Sequence, residues 1–175
     1  MTHSISVAAV VVNQAGQILV IRRVDNGQWQ IPGGVLEQGE PLEAGVRREV
    51  WEETGITVRV HTLTGVYHHV VRDVVALVYR CEAVGGSPTP SSESSEVRWL
   101  DLDTALLRMV PVFAIRVRDA LSGQTHSRNH DGQKLLDLAS VAKVPASPAV
   151  DEVGHSSPVA QTCRAAATQN RQNRR

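Results

Sequence analysis

"GVLEQGEPLEAGVRREVWEETGI", residues 34–56, decides the fold of this 175-residue chain. It holds six glutamates and no aspartate, in what reads as a loop followed by a short helix. Pro41 stands where a first helical position would be and Gly55 where a C-terminal cap would be. Good helix formers lie between them, which predicts a helix from Pro41 to Thr54. Each helical residue advances by about 100°, so Glu49, Glu52 and Glu53 share one arc of about 100°. Leu42, Val46 and Val50 border that arc. The acids therefore stand beside the core-facing stripe, where unpaired charge is costly.

A charged helix is most often a solvated face, with Arg47 and Arg48 here to offset some of the acids. Three converging carboxylates also suit Mg²⁺ or Mn²⁺, hard cations that bind oxygen and keep positions open for water or substrate phosphate. The flanking residues favour the second reading.

The stretch matches the box of the Nudix hydrolases, G-x5-E-x7-R-E-U-x-E-E-x-G-U with U a bulky aliphatic residue, at every fixed position. Those positions are Gly34, Glu40, Arg48, Glu49, Val50, Glu52, Glu53, Gly55 and Ile56. "GQWQIPGG" before it resembles the family's lead-in and "EVRWLDL" after it resembles a late strand, so the resemblance covers about residues 4–120. It implies an α+β chain with the Nudix fold, an α/β/α sandwich around a mixed β-sheet, and hydrolysis of a nucleoside diphosphate linked to another moiety. It also implies that Glu49, Glu52 and Glu53 hold Mg²⁺ or Mn²⁺, with the Gly33 carbonyl as a further ligand. Glu40 and Arg48 then orient those ligands. Gly34 and Gly55 are read as geometric, permitting the tight course of the loop and the end of the helix. A carboxylate must accept the proton of the attacking water, and Glu53, Glu52, Glu93 and Glu96 stay open for that role. In the MutT-like branch a loop acid at about the spacing of Glu93 from Trp99 contributes to the metal site, and this resemblance selects Glu93 over Glu96.

Arg22 and Arg23 end the second strand, and the one that faces inward is placed to hold a phosphate through charge-assisted bonds; strand alternation allows only one of them to do so. Trp29 reads as a packing residue. His68 and His69 point to opposite faces, and neither has a metal partner visible in the sequence. ADP-ribose pyrophosphatases resemble one another in a proline about sixteen residues beyond the box glycine, where this chain has Val71. What remains is a MutT-like hydrolase of a nucleoside triphosphate or related nucleotide, with an ADP-ribose or nucleotide-sugar pyrophosphatase as the alternative. A nucleotide-sensing Nudix domain without catalysis predicts lost box acids, and all are present. An RNA-end hydrolase predicts a basic surface. The isomerase relatives rely on a catalytic cysteine, and the surroundings of Cys81 do not resemble theirs.

Outward from the box, Ser4–Val12 and "QILVIRR" read as a hairpin of partly buried strands around "NQAG". Further strands are expected over Val58–Val71, Val74–Ala83 and "EVRWLDL". One or two helices follow, divided at Pro111. Residues 1–122 form the expected Nudix domain and 123–139 an extension that docks on it. Residues 140–175 are too poor in apolar side chains to offset their ordering entropy and read as a disordered tail. Lys plus Arg and Asp plus Glu number 18 each, so no basic field draws the chain to nucleic acid or an anionic membrane. Cys81 and Cys163 are distant and lack metal spacing. With no secretory or spanning segment in the sequence, a cytoplasmic location is expected, and the sequence leaves homodimer formation open.

Overall fold

The computed structural model describes residues 3–137; the expected disordered tail, its terminal "RQNRR" and Cys163 lie outside them. In chain order the elements are β1 (Ser4–Val12), β2 (Ile18–Arg23), β3 (Trp29–Gln30), β4 (Gly33–Val35), α1 (Leu42–Thr54), β5 (Ile56–His69), β6 (Val74–Gly86), β7 (Ser94–Leu100), α2 (Leu102–Arg108), α3 (Pro111–Leu121), β8 (His126–His130) and β9 (Leu135–Leu136).

The strands join one mixed sheet along the path β3-β2-β1-β6-β5-β8-β9, with β4 also on β1 and β7 also on β2. The expected first hairpin is short. β1 and β2 are antiparallel with Val12 opposite Ile18, while further along β1 the residues Ser6–Ala8 face β4. On its other side β1 runs parallel to β6 from Ser4↔Val74 to Val12↔Glu82.

Strand alternation divides the core into two layers. Val7, Ala9 and Val11 join Val46 and Val50 of α1 on one face, and Ala8 and Val10 join Ala114 and Val117 of α3 on the other. The sheet thus lies between α1 and the α2–α3 pair, which is the α/β/α sandwich. Val46 and Val50 are fully buried, a stabilisation of about 1.5–3 kcal/mol each. Leu42, at the start of the same stripe, stays 38% exposed.

Pro41 is the N-cap of α1 and not its first helical residue: its ψ of 142° is extended. Gly55 ends the helix in the left-handed region at φ 69°, as its place in the sequence suggests. Opposite it, a Cβ on Gly86 would lie 2.1 Å from the Gly55 carbonyl oxygen, so the end of α1 and β6 can approach this closely only through glycine.

Pro111 opens α3 and separates it from α2, whose N-cap Asp101 accepts the Thr104 amide. β8 then runs parallel to β5, with Gly65 opposite His126 and His69 opposite His130. A buried carboxylate ties that edge down. Asp119 of α3 accepts both arms of the Arg128 fork at 2.6 and 2.7 Å and the Tyr67 hydroxyl at 2.7 Å. Among the described residues no helix is long and apolar enough to cross a membrane.

Candidate active site

Helix α1 delivers the acids at the spacing its sequence dictates, but to three different environments. Glu53 is 3% exposed, Glu49 is partly buried and Glu52 is exposed. Glu53 Oε2 accepts the Gly33 amide at 2.7 Å. Burial pushes its carboxyl up to about 7, opposed by the Gly33 amide and reinforced by the charges of Glu49 and Glu93. Burial also raises the carboxyl of Glu49, opposed by Arg48.

Arg48 is the cation among these acids. Its Nε and Nη2 form a fork on Glu40 at 2.9 Å each, and its Nη1 reaches Glu49 at 2.9 Å and Glu52 at 3.1 Å. Glu40, held by that fork, titrates below the usual carboxylate range. Gly34 supplies the space: a Cβ there would lie 2.4 Å from Glu49 Oε2. The glutamate oxygens of this helix are of the chemical type a hard divalent cation takes, but the ligand atoms of Glu49, Glu52 and Glu53 do not all lie within 4.8 Å of one another.

The other sequence candidates distribute unevenly. Arg23 lines the cavity described below and is held by Asp25 at 2.8 Å, with Glu53 and Glu93 close enough to raise its pKa. Arg22 is exposed, bonded to Glu96 at 3.1 Å and to the Gly27 carbonyl at 3.2 Å, and does not line that cavity. Glu96 is further occupied by Arg98 at 2.9 Å. Of the two loop acids it is therefore Glu93 that acts on Glu49 and Glu53. Its backbone is fixed by the Val24 amide, and the adjacent Ser94 hydroxyl donates to the Glu53 carbonyl. Trp29 packs against the α3-side core, with the Arg108 guanidinium 5.2 Å above its ring.

A cavity of about 290 Å³ opens beside this cluster, on the α3 side of the sheet. Gly33 and Gly34 form part of its wall, so β4 separates it from the acids by a single strand. The cavity also takes in His69 of β5, Phe113 and Arg116 of α3, and His130 of β8. Arg116 and His130 were not apparent from the sequence; their only local signal is a charged residue on an apolar helix face and a histidine in a polar run.

His68 takes the opposite direction. It lies 3.5 Å from Asp73, which His3 reaches at 3.0 Å, and the three form a cluster whose ligand-type atoms are all within 4.8 Å. The sequence reading, which gave His68 no metal partner, missed this grouping because it depends on a turn after β5 and on the start of β1.

A family model, the NUDIX domain, matches residues 2–121. A MutT-like protein of Streptomyces ambofaciens is 56% identical over 135 residues, covering 77% of this chain and 88% of that protein. An ADP-ribose pyrophosphatase of Methanocaldococcus jannaschii is 34% identical over 100 residues, covering 53% of this chain and 59% of that protein. A NUDIX hydrolase from Nitrosomonas europaea has a crystal structure with a TM-score of 0.64 to this one, at 22% identity, covering 74% of this chain and 81% of that chain. At that identity the likeness is one of fold.

Proposed function

The chain belongs to the Nudix hydrolase family and is an enzyme that cleaves phosphoanhydride bonds, and from that premise we propose that it is a Mg²⁺-dependent pyrophosphohydrolase of a nucleoside triphosphate or related nucleotide. The observation that carries the reading is that Arg48 holds Glu49 and Glu52 while the Gly33 amide holds the buried Glu53 of the same helix, at the wall of a cavity of about 290 Å³.

A divalent cation bound by these three carboxylates would offset substrate charge, polarise the phosphoryl group and favour attack by water. Mg²⁺, or Mn²⁺ in its place, suits an all-oxygen donor set. The protein's own groups do the positioning. Glu40 holds Arg48, and Arg48 spaces Glu49 from Glu52, so the acids are pre-arranged before substrate arrives. Gly33 fixes the Glu53 carboxylate from the opposite side. Arg23 stands between the acids and the cavity, where a guanidinium offers paired donors to a phosphate. Glu53, Glu52 and Glu93 are the candidates to take the proton from water.

The relative from Methanocaldococcus jannaschii is named for ADP-ribose, which keeps an ADP-ribose or nucleotide-sugar substrate as the second reading. A panel separates the two: nucleoside triphosphates, ADP-ribose, dinucleoside polyphosphates and nucleotide sugars with Mg²⁺ or Mn²⁺, with released phosphate and pyrophosphate measured. Turnover of triphosphates above the rest is expected. Turnover of ADP-ribose alone selects the second reading, and silence across the panel with either ion sinks both.

A further inference from the structure

The cavity behind Gly33 presents hydrogen-bond donors that the protein leaves without acceptors. Arg116 and His130 both line it and are 8% and 1% exposed. A guanidinium only donates, so in the 3.4 Å contact between Arg116 Nη2 and His130 Nε2 the imidazole nitrogen accepts, and the ring proton stands on Nδ1. That Nδ1 and the Arg116 Nε are both buried and have no partner among the described residues. His69 extends the pattern. Its Nδ1 accepts the Arg72 amide at 3.3 Å, which places the proton of the neutral ring on Nε2. Among the described residues no Asp or Glu lines the cavity.

Val7, Ala8, Val74, Ala76 and Phe113 give the cavity an apolar wall, and Ser6, Arg23, Gln30 and Arg72 add polar side chains to its lining. The Arg116 guanidinium lies 4.9 Å from the Phe113 ring and 5.0 Å from the Tyr67 ring, which fix its plane. A cavity of about 290 Å³ with one apolar wall and fixed donors at its Arg116 end has the chemistry of a site for a flat heterocycle with acceptors on one edge. A phosphate answers the same charge through Arg23, Arg72 and Arg116, and its competition with the base at Arg116 is what inhibition by inorganic pyrophosphate reads.

We propose that Arg116 and His130 select the base of the nucleotide, admitting an edge made of acceptors, as in a 6-oxopurine or a 4-oxopyrimidine, and rejecting the corresponding amino base. The proposal rests on the hydrolase reading above. An oxo edge meets the donors in the way arginine pairs with the O6 and N7 of guanine. An amino group there sets N–H against N–H and leaves polar groups on both sides unpaired, the kind of mismatch that discriminates strongly in a buried site.

Inosine and adenosine triphosphates isolate the feature, because they differ at the purine 6-position. With the full chain and Mg²⁺, kcat/KM for the inosine nucleotide is expected to exceed that for the adenosine nucleotide by about 10- to 100-fold. Calorimetric binding of their methylene-bridged, uncleavable analogues is expected to follow the same order. Arg116→Met, checked for folding by circular dichroism, is expected to bring the ratio within about threefold. Arg116→Lys is expected not to restore it, since an ammonium cannot reproduce the fork. His130→Phe, which removes the Nδ1 donor, serves as the second probe if Arg116→Met does not fold, and is expected to narrow the ratio in the same direction.

Equal or better use of the adenosine nucleotide overturns the proposal, as does a ratio unchanged by Arg116→Met. If Arg116→Met instead abolishes inhibition by inorganic pyrophosphate and spares the base ratio, the cavity is an oxyanion site and the proposal also fails. The two readings fail separately. A chain that hydrolyses both nucleotides equally keeps the hydrolase function and loses base selection, whereas one that hydrolyses neither but binds the inosine analogue in preference keeps base selection and loses the hydrolase reading.

Discussion

The Gly33 amide donates a 2.7 Å hydrogen bond to Glu53 Oε2, so the last turn of helix α1 and the short strand β4 share one fixed point. That bond aims a buried carboxylate at the boundary between the acidic cluster and the cavity. Both the sheet edge and the helix end are needed to place it.

Glu53→Gln keeps the side-chain shape and an acceptor for Gly33 while removing one metal-binding charge. Turnover of the preferred nucleotide is expected to fall by about 100-fold or more, with the thermal midpoint unchanged or raised because a buried carboxylate has been neutralised. Steady-state kinetics and a melting curve on the same preparation check both halves, and a fully active variant refutes the assignment.

Arg48 reaches Glu40, Glu49 and Glu52 at once, which a lysine cannot do from one ammonium. Arg48→Lys is expected to cost about 10- to 100-fold in activity at limiting Mg²⁺, with partial recovery at high Mg²⁺, because the acids lose their spacing and not their charge. A Mg²⁺ titration of kcat/KM reads this directly. Loss that is independent of Mg²⁺ concentration contradicts the positioning role.

How much of this site the sequence carried depends on how local each feature is. The box acids lie on one helix, so their spacing alone brought Glu49, Glu52 and Glu53 to one side, and Gly55 marked where the helix stops. The course of β1 is not local. It runs beside β6, some seventy residues on by the Ser4↔Val74 register, and no short pattern in the chain encodes that parallel pairing. Strand β8, "HSRNH", has no apolar alternation at all and is a strand because β5 and the Asp119–Arg128 pair receive it. His130 and Arg116 meet only through that docking, which is why the base-selecting end of the cavity was invisible in the sequence. Arg23 was half legible: alternation required one of two arginines to face inward, and the pairing of Arg22 with Glu96 settles which.

Gly34 tests the cradle without touching a charge. In Gly34→Ala the new Cβ meets the Glu49 carboxylate at 2.4 Å, and the end of that flexible side chain can move aside. The fold is therefore expected to survive, with a melting midpoint within a few degrees of the parent, while activity drops by about 10-fold or more as Glu49 is displaced. Equal activity in the variant means that Glu49 is not held where the reaction needs it.

His130 gives the chain a dependence on pH that is separate from catalysis. Burial, the charge of Arg116 and the neighbouring His69 push its pKa down to about 4 from an ordinary 6.5, with His68 adding in the same direction and Asp131 opposing. Between those values the unfolded chain holds a proton on this residue that the folded chain lacks. Stability from this source is therefore complete above pH 6.5 and is lost as pH falls towards 4, in total about 3 kcal/mol. His130→Gln removes the titration while leaving an acceptor for Arg116. Denaturant melts of both proteins between pH 7.5 and 4 are expected to converge as the pH falls, because the parent loses more stability than the variant. Parallel curves across that range mean that His130 titrates normally, and that the Arg116 end of the cavity is open to water and not buried as described.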